Sequence, residues 1–154
     1  MTTVTLRPAT EQDRPFIDSL SPRLSGVQRP PWHDVAAMEG FQDRHMAASF
    51  SPADGAETVI ACGADGTRLG YIRLRPGRDG VTDEPCGYIS LLATTREAEG
   101  TGVATRLMAA AEDWARGRGY RLLSLDVFAD NRRAIDFYQR GGFRSETFRM
   151  VKPL

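Results

Sequence analysis

The stretch Glu99-Gly100-Thr101-Gly102-Val103-Ala104-Thr105 decides the fold, because it joins the end of a predicted strand to the start of a predicted helix. At such a junction the first backbone N–H groups of the helix have no partner, and the helix dipole adds partial positive charge. Glycine at positions 100 and 102 lets a ligand approach the backbone closely. The stretch therefore predicts an anion site that could take a diphosphate group. A glycine-bearing turn that binds nothing is the alternative interpretation.

Spacing excludes several other phosphate-binding and catalytic motifs. A dinucleotide-binding fingerprint needs a third glycine where Thr105 stands, and no loop ends in the Gly-Lys-Ser/Thr of a P-loop. The chain contains neither the Gly-x-Ser-x-Gly of serine hydrolases nor the His-Glu-x-x-His of zinc proteases. Cys62 and Cys86 lack Cys-x-x-Cys spacing, so we predict no metal site and two buried free thiols, with a disulfide between them as the alternative.

The segments around the stretch predict a strand, a helix and a second strand. Gly87 to Thr94 is rich in Ile, Leu and Tyr, whereas Glu99 to Arg116 carries apolar residues at helical spacing. Arg121 to Phe128 then places apolar residues on one face, as a strand does. Because a crossover of this kind is right-handed, the two strands should be parallel neighbours. We expect their carboxyl ends to open toward one crevice.

The rest of the chain predicts further strands and helices on the same sheet. The predicted elements are a strand at Val4 and Leu6, a helix capped by Thr10 or Asp13 and reaching Leu20, a helix over Asp34 to Phe50, a hairpin of Glu57 to Cys62 and Arg68 to Arg75, a helix from Asn131 through Tyr138, and a strand over Phe143 to Lys152. This order mixes an antiparallel first half with a strand-helix-strand crossover. It predicts a mixed sheet with helices on its faces.

Composition argues against nucleic acid and membranes as partners. Twenty Lys and Arg residues balance twenty Asp and Glu residues, so the formal net charge is zero. Nucleic-acid and anionic-membrane binders normally carry an excess of positive charge. No stretch approaches the roughly 18 apolar residues that span a bilayer. We therefore expect no nucleic-acid partner, no membrane association and a cytoplasmic protein that folds as one domain over residues 1–154.

The stretch from Ile89 to Phe143 resembles the GNAT superfamily of N-acetyltransferases. In that family a strand is followed by Gln/Arg-x-x-Gly-x-Gly/Ala, a helix, a strand, Asn-x-x-Ala, a tyrosine and Gly-Phe. The corresponding residues appear here in the same order, namely Leu92-Ala93-Thr94, Gly102 and Ala104, Asn131 and Ala134, Tyr138, and Gly142-Phe143. The resemblance implies an α/β (mixed α+β) domain. Its central sheet would be mixed and mostly antiparallel, flanked by helices, with a splayed parallel strand pair.

The resemblance also implies an acetyl-CoA-dependent N-acetyltransferase. Such an enzyme transfers an acetyl group to a primary amine of a small molecule, an amino-acid derivative or a protein, by direct attack in a ternary complex. The residues that it implies for acetyl-CoA binding are Leu92, Ala93, Thr94, Gly100, Thr101, Gly102, Val103, Ala104, Thr105, Asn131, Ala134 and Tyr138. For Asn131, helix capping is a second interpretation that is compatible with the first. The resemblance makes a homodimer plausible, although no apolar stripe in the sequence establishes one.

Two catalytic groups follow from the resemblance, and one role stays open. The backbone N–H of Leu92 is the candidate to stabilise the oxyanion, and Tyr138 matches the family's general acid. Core packing is the other interpretation of Tyr138. The glutamate that serves some members as base is absent from Gly87-Tyr88-Ile89-Ser90. The alternatives for the base are Asp83, Glu84, Asp126 or a water chain.

Acceptor selectivity is expected in the first helices and in the loops around the crevice. Trp32, His33, Asp34 and His45 lie in these parts of the chain, but for each of them packing or capping is the favoured interpretation.

Glu99 departs from the family pattern. It places a carboxylate where the family prefers Gln or Arg, close to a diphosphate that it would repel. The residues that could supply positive charge instead are Arg96, Arg106, Arg132 and Arg133. Glu99 and the missing strand glutamate also motivate a different class of function. In that alternative the chain is a non-catalytic acyl-CoA-binding sensor or interaction module on the same fold.

Overall fold

The computed structural model describes residues 3–154 and shows a five-stranded sheet in the order β1-β2-β3-β4-β5. The strands are β1 (Val4–Pro8), β2 (Glu57–Gly63), β3 (Arg68–Arg78), β4 (Pro85–Thr94) and β5 (Leu123–Ser124). Neighbours are antiparallel from β1 to β4, whereas β4 and β5 are parallel. The prediction of a mixed, mostly antiparallel sheet is confirmed.

Helices pack on this sheet. They are α1 (Arg14–Ser19), α2 (Ser21–Ser25), α3 (Val35–Ser49), α4 (Val103–Gly117) and α5 (Arg132–Arg140). The single helix predicted after Thr10 is instead a 3₁₀ turn at Glu11–Asp13 followed by α1 and α2. Pro22 is the second residue of α2 and explains the break, because proline has no N–H to continue a preceding helix. None of the helices in residues 3–154 combines the length and the apolar character needed to cross a lipid bilayer.

Two apolar clusters hold the sheet between its helices. In the first, Ile72 and Leu74 of β3 pack with Val103 and Leu107 of α4. The second contains residues of α1, α3 and the sheet, among them Ile17, Met46, Ile60, Tyr71 and Leu91. Successive residues of a strand point to opposite faces, which is why β3 contributes to both clusters. Free Cys62 and Cys86 are both buried, as predicted.

β4 and β5 separate soon after they meet. Their register contains two residue pairs, Gly87 with Leu123 and Tyr88 with Ser124. A Cβ at Gly87 would lie 2.9 Å from the ring of Trp114, so only glycine fits at the point of contact. The strand predicted over Arg121 to Phe128 is therefore correct in position and direction but much shorter than expected. Beyond Tyr88 no strand of the described residues pairs with β4 on this side, which confirms the splayed parallel pair.

The strand predicted over Phe143 to Lys152 is wrong for the part of the chain that the structure describes. Residues 144–154 pair with no strand and are all exposed. Their apolar side chains favoured a strand, but a strand also needs a neighbouring edge, and the two-residue β5 offers a very short one. Phe143 is the last residue of the chain that packs on the core.

Buried Asp13 connects β1, the first 3₁₀ turn and β3. Its carboxylate accepts hydrogen bonds from Arg7 Nη1 and Nη2, both at 2.8 Å, and from Arg68 Nε at 2.6 Å. The backbone N–H of Thr10 donates a further bond at 2.7 Å. The bonds from Arg7 hold the pKa of Asp13 well below its ordinary range, although burial opposes the shift. This charged network is a main tie between the N-terminal segment and the sheet.

Candidate functional site

The predicted anion-binding stretch forms a tight turn between β4 and α4. After a 3₁₀ turn at Arg96–Ala98, Gly100 and Gly102 adopt φ angles of 72° and 87°, and α4 begins at Val103. Residues with a Cβ are strained at such angles, so both positions favour glycine. A Cβ at either glycine would meet no protein atom within 4 Å. The turn therefore faces open space.

Several N–H groups of this turn have no acceptor. Thr101 N–H donates to Ala98 O at 3.3 Å, and Arg106 N–H donates to Gly102 O at 3.0 Å. Within residues 3–154 no acceptor is found for the backbone N–H groups of Gly100, Gly102, Val103, Ala104 and Thr105. These donors stand at the N-terminus of a 15-residue helix. Their arrangement is suited to bind an anion.

The end of β4 directs backbone groups into the gap between β4 and β5. Thr95 N–H donates to Leu69 O at 2.8 Å, which extends the ladder between β4 and β3. Because successive residues of a strand direct their N–H and C=O groups to alternate sides, those of Ala93 face β3. The N–H and C=O groups of Leu92 and Thr94 therefore face away from β3. They lie along the edge that β5 leaves unpaired.

Two arginines hold Glu99 beside the turn. Arg23 of α2 and Arg133 of α5 each donate to one carboxylate oxygen of Glu99, Arg133 at 3.1 Å. The hydrogen bond from Arg23 and then that from Arg133 lower the pKa of Glu99. Arg23 Nε also donates to Thr94 O, at 2.7 Å. Arg133 was among the residues predicted to supply positive charge near the diphosphate, but Arg23 was not, since sequence spacing does not reveal a contact between residues 76 positions apart.

A cleft of about 730 Å³ opens between this ionic cluster and the start of α5. The residues that line it include Arg23, Arg96, Glu99, Asn131, Arg132 and Arg133. Among the described residues, neither Arg96 nor Arg132 forms an ion pair with a carboxylate. Because its lining contains four arginines and two acidic residues, Glu99 and Asp130, the cleft has a net positive charge, and Glu99 places it next to the turn. Arg106, the fourth predicted candidate, does not line it.

α5 brings two predicted residues to the same side of the domain. Asn131 Oδ1 accepts from Ala134 N–H at 3.3 Å, so the capping interpretation of Asn131 is confirmed, and Asn131 also lines the cleft. Further along α5, the half-buried ring of Tyr138 lies with its centroid 5.9 Å from that of Phe143. Burial raises the pKa of Tyr138 above its ordinary value. Tyr138 packs on the same apolar cluster as Leu92.

The acidic residues considered as base differ in their surroundings. Glu84 is paired with Arg121, and a hydrogen bond from Arg121 lowers its pKa. Asp83 and Glu84 precede β4, so at about 3.3 Å per residue they lie more than about 20 Å along the strand from Leu92. Asp126 accepts a hydrogen bond of 2.6 Å from the hydroxyl of Tyr88, which is four residues before Leu92 in β4.

α3 approaches β4 at a bulge. Between the pairs Arg73–Leu91 and Leu74–Ile89 the register shifts, which leaves Ser90 as an extra residue. His45 Nε2 lies 2.7 Å from Ser90 O, and its ring stacks on Phe41 with centroids 5.7 Å apart. Phe41 in turn contacts Phe128, just beyond β5. The sequence does not predict this contact, because nothing in the alternation of residues marks the bulge.

Of the other residues near the crevice, Asp34 acts as a cap, as favoured from the sequence. Its carboxylate accepts from Ala37 N–H at 2.8 Å at the start of α3. Trp32 and His33 are exposed on the loop before it.

A protein-family model described as the acetyltransferase (GNAT) family matches residues 22–143. The chain belongs to the GNAT family. The match covers the turn, the end of β4, the cleft and α5. It therefore includes every residue that the sequence motifs had singled out.

Named proteins similar to this GNAT chain support the assignment. Aminoglycoside N(6')-acetyltransferase type 1 of Stenotrophomonas maltophilia is 31% identical over 109 residues, which are 69% of this chain and 70% of that protein. N-alpha-acetyltransferase 30 of Schizosaccharomyces pombe is 42% identical over 57 residues, which are 37% of this chain and only 38% of the yeast protein. Among solved structures, AAC(6')-Iy in complex with the bisubstrate analogue CoA-S-monomethyl-acetylneamine superposes with a TM-score of 0.68. At 22% identity, with 99% of this chain and 97% of that chain covered, it shows the fold alone.

The motif residues of this GNAT domain differ in their surroundings. Leu92, Val103 and Tyr138 contribute to one apolar cluster, while Asn131 faces the cleft beside Glu99. Thr101 and Thr105 are exposed on the turn, and Ala104 and Ala134 are half-buried at the starts of their helices. Within residues 3–154 no group of three or more His, Cys, Asp or Glu side chains is placed to hold a metal ion.

Proposed function

We propose that this chain transfers an acetyl group from acetyl-CoA to a primary amine, by direct attack of the amine in a ternary complex. The observation that carries the proposal is the set of five unpaired N–H groups in the turn before α4, beside a splayed strand edge. A diphosphate matches the turn in charge and hydrogen bonding, and an extended amide-bearing arm matches the edge. Acetyl-CoA carries both.

The residues present fit this substrate. The N–H groups from Gly100 to Thr105 would hold the diphosphate, and Arg96 and Arg132 would add positive charge. The outward backbone groups of Leu92 and Thr94, with Ala93 between them, would pair with the pantetheine arm like an added strand. Asn131 and Ala134 would border that arm from α5. A ligand that pairs with Thr94 O has to displace Arg23 Nε from that atom.

Two groups would act on the reacting atoms. The Leu92 N–H would donate to the oxygen of the tetrahedral intermediate, and such a donor lowers a barrier by about 3 kcal/mol in other enzymes. The Tyr138 hydroxyl would give its proton to the departing thiolate. Burial raises the pKa of Tyr138, so the hydroxyl keeps its proton at neutral pH. An alkylammonium acceptor has a pKa of about 10.4 and is therefore protonated at neutral pH. It must lose a proton before its nitrogen can attack the thioester.

The relatives suggest two classes of acceptor. One similar protein is named an aminoglycoside N(6')-acetyltransferase and another an N-alpha-acetyltransferase. We therefore propose a small-molecule amine, an amino-acid derivative or a protein amino group as acceptor. A test is to incubate the purified chain with acetyl-CoA and an amine panel from all three classes, with mass detection of the acetylated product and thiol release. Absence of product from every class would overturn the proposal.

Gly102 provides a first prediction, through a comparison with Gly119 at the other end of α4. Both residues have positive φ, 87° and 73°, and a Cβ at either would meet no atom within 4 Å. Gly102→Ala and Gly119→Ala should therefore cost similar stability, about 1 kcal/mol each. Only Gly102→Ala should weaken acetyl-CoA binding, by about tenfold or more, because its methyl group enters the space of the diphosphate. Calorimetry measures both affinities, and equal affinities would place the diphosphate elsewhere.

Glu99 provides a second prediction. Glu99→Gln should tighten acetyl-CoA binding by about 3–10-fold, since it removes a repulsive charge and releases Arg23 and Arg133. The gain should shrink as salt is added, because salt screens exposed charges. Glu97→Gln is the matched control, because Glu97 is exposed in the preceding 3₁₀ turn and forms no ion pair with a described residue. Weaker binding by Glu99→Gln would mean that the ionic cluster shapes the site rather than opposing the ligand.

The second candidate function is a non-catalytic acyl-CoA sensor or interaction module. It is favoured by one observation, which is that β4 offers no carboxylate at the splay where some family members have a glutamate. Under that function acetyl-CoA would raise the thermal midpoint of the protein, but no amine in the panel would be acetylated. The same calorimetric and mass measurements therefore separate the two functions.

A further inference from the structure

The protonation of the His45 ring follows from its one hydrogen bond. Nε2 lies 2.7 Å from Ser90 O, and a backbone carbonyl can only accept. Nε2 therefore carries the hydrogen, and in the neutral ring Nδ1 is left with a free lone pair. The bond to the bulge fixes which nitrogen can take up a proton.

Nδ1 of His45 is accessible as well as basic. It has no hydrogen-bond partner among residues 3–154. The buried side-chain nitrogen and oxygen atoms without a partner in this part of the chain belong to Gln42 and Trp114, and His45 Nδ1 is not one of them. The ring is half-buried and stacks on Phe41, which fixes its plane. The lone pair of Nδ1 therefore reaches solvent, while the hydrogen bond to Ser90 and the stack on Phe41 hold the ring in place. This geometry suits a proton acceptor.

The position of His45 relates it to the acyl site. Ser90 precedes Leu92 by two residues of β4, a separation of about 6–7 Å along a strand. Phe41 also touches Phe128, just past β5, so this part of α3 lies across the gap between the two strands. β-Bulges commonly occur next to active sites, where they change the direction of a backbone or side-chain group. Here the bulge presents its carbonyl to His45.

Other proton acceptors near the gap are less available. The carboxylate of Asp126 already accepts the hydroxyl of Tyr88 at 2.6 Å. Glu84 is engaged by Arg121 and lies at the far end of β4. Within the described chain, Oδ1 of Asp126 is free of a protein hydrogen bond, but it belongs to the carboxylate that the Tyr88 hydroxyl already stabilises. The lone pair of His45 Nδ1 belongs to a ring whose only hydrogen bond is donated by the other nitrogen.

We propose that His45 is the catalytic base that deprotonates the acceptor amine, an inference that rests on the proposed acetyl transfer. An alkylammonium acceptor gives one proton to Nδ1 of His45, directly or through one water, and its lone pair then attacks the thioester carbonyl carbon. When the C–S bond breaks, the sulfur keeps the electron pair and takes the proton of Tyr138. The second proton of the nitrogen leaves as the amide forms and reprotonates Tyr138 through solvent, while His45 returns its proton to solvent. One proton is released for each amide made.

His45→Gln tests this role with little change in structure. The glutamine amide reaches about as far as Nε2 and can still donate to Ser90 O, but it has no basic nitrogen. With an alkylamine acceptor, kcat should fall by about 100–1000-fold. Hydroxylamine and aromatic amines are largely unprotonated at neutral pH and need no base. With these acceptors, kcat of His45→Gln should stay within about threefold of the wild-type value. The Kd of acetyl-CoA should be unchanged.

The comparison between acceptors decides the outcome. An acceptor-dependent loss in His45→Gln, with Asp126→Asn retaining most of its turnover of alkylamines, is the expected result. Wild-type turnover in His45→Gln, an equal loss with both acceptors, or the acceptor-dependent loss in Asp126→Asn instead would each overturn the role of His45. If the wild-type protein acetylates no amine at all, the proposed function fails first. That failure is visible before any variant is made.

Discussion

Asp13→Asn is expected to lower the free energy of unfolding by about 3 kcal/mol, the largest stability effect of a single charge in this domain. The side chain is fully enclosed and accepts from Arg7, Arg68 and Thr10. Removing one partner of a buried ion pair costs roughly 3–5 kcal/mol. The lower end applies because both arginines are partly exposed and can be rehydrated. Denaturant unfolding measures the change, which corresponds to roughly 6–12 °C in the thermal midpoint.

Asp18→Asn is the matched control for this prediction. Asp18 pairs with Arg14 one helical turn away, at 2.8 Å, and both side chains are exposed. Its replacement should change stability by less than about 0.5 kcal/mol. Equal effects of the two variants would show that the network around Asp13 contributes no more than a surface pair.

The same network predicts how stability responds to acid. The pKa of Asp13 is lower in the folded protein than the value of about 3.9 in an unfolded chain. The contribution of Asp13 to the free energy of unfolding is therefore fully present above a pH of about 4. The contribution is lost as the pH falls further toward the folded-state pKa. The wild-type protein should therefore lose stability more steeply below pH 4 than Asp13→Asn does. Parallel acid-unfolding curves for the two proteins would contradict this account.

Tyr138→Phe is expected to lower kcat by about 100–1000-fold while the Kd of acetyl-CoA changes less than about twofold. The substitution removes only the hydroxyl, so the ring contacts with Phe137 and Phe143 remain. Without the hydroxyl the thiolate must depart unprotonated or take its proton from water. Steady-state kinetics with saturating acceptor, together with calorimetry, separates the two parameters.

Tyr120→Phe is the control for Tyr138. Tyr120 follows α4 at its distal end and packs edge-on against Trp114, with centroids 5.6 Å apart. Its replacement should leave kcat within about twofold of the wild-type value. If Tyr138→Phe behaves in the same way as this control, Tyr138 is a packing residue and another group protonates the thiolate.

Local sequence signals predicted the turn and its helix correctly. Positive φ at Gly100 and Gly102, and the cap formed by Asn131, depend on neighbouring residues and can be read from a short stretch. Contacts between distant segments could not be predicted in this way. Arg23 reaches Glu99 across the fold, and His45 meets Ser90 because a bulge turns one carbonyl.

The errors in the second half of the chain have a related cause. The pattern of Arg121 to Phe128 predicts a long strand, and that of Phe143 to Lys152 predicts another. Pairing depends on whether an edge is in reach, and β5 diverges from β4 after two residues. A pattern of side chains shows that a segment can form a strand, but the divergence of its neighbour decides whether it does.

Because β4 and β5 pair over only two residues, few backbone hydrogen bonds connect the two sides of the domain. Beyond that contact, the part of the chain that carries α5 is joined to the rest by side-chain packing, by the hydrogen bond from Tyr88 to Asp126 and by that from Arg133 to Glu99. A ligand bound in the gap would connect the two sides, because it would form hydrogen bonds to backbone groups that have no protein partner. The free energy that holds the two parts together would then increase with the concentration of that ligand.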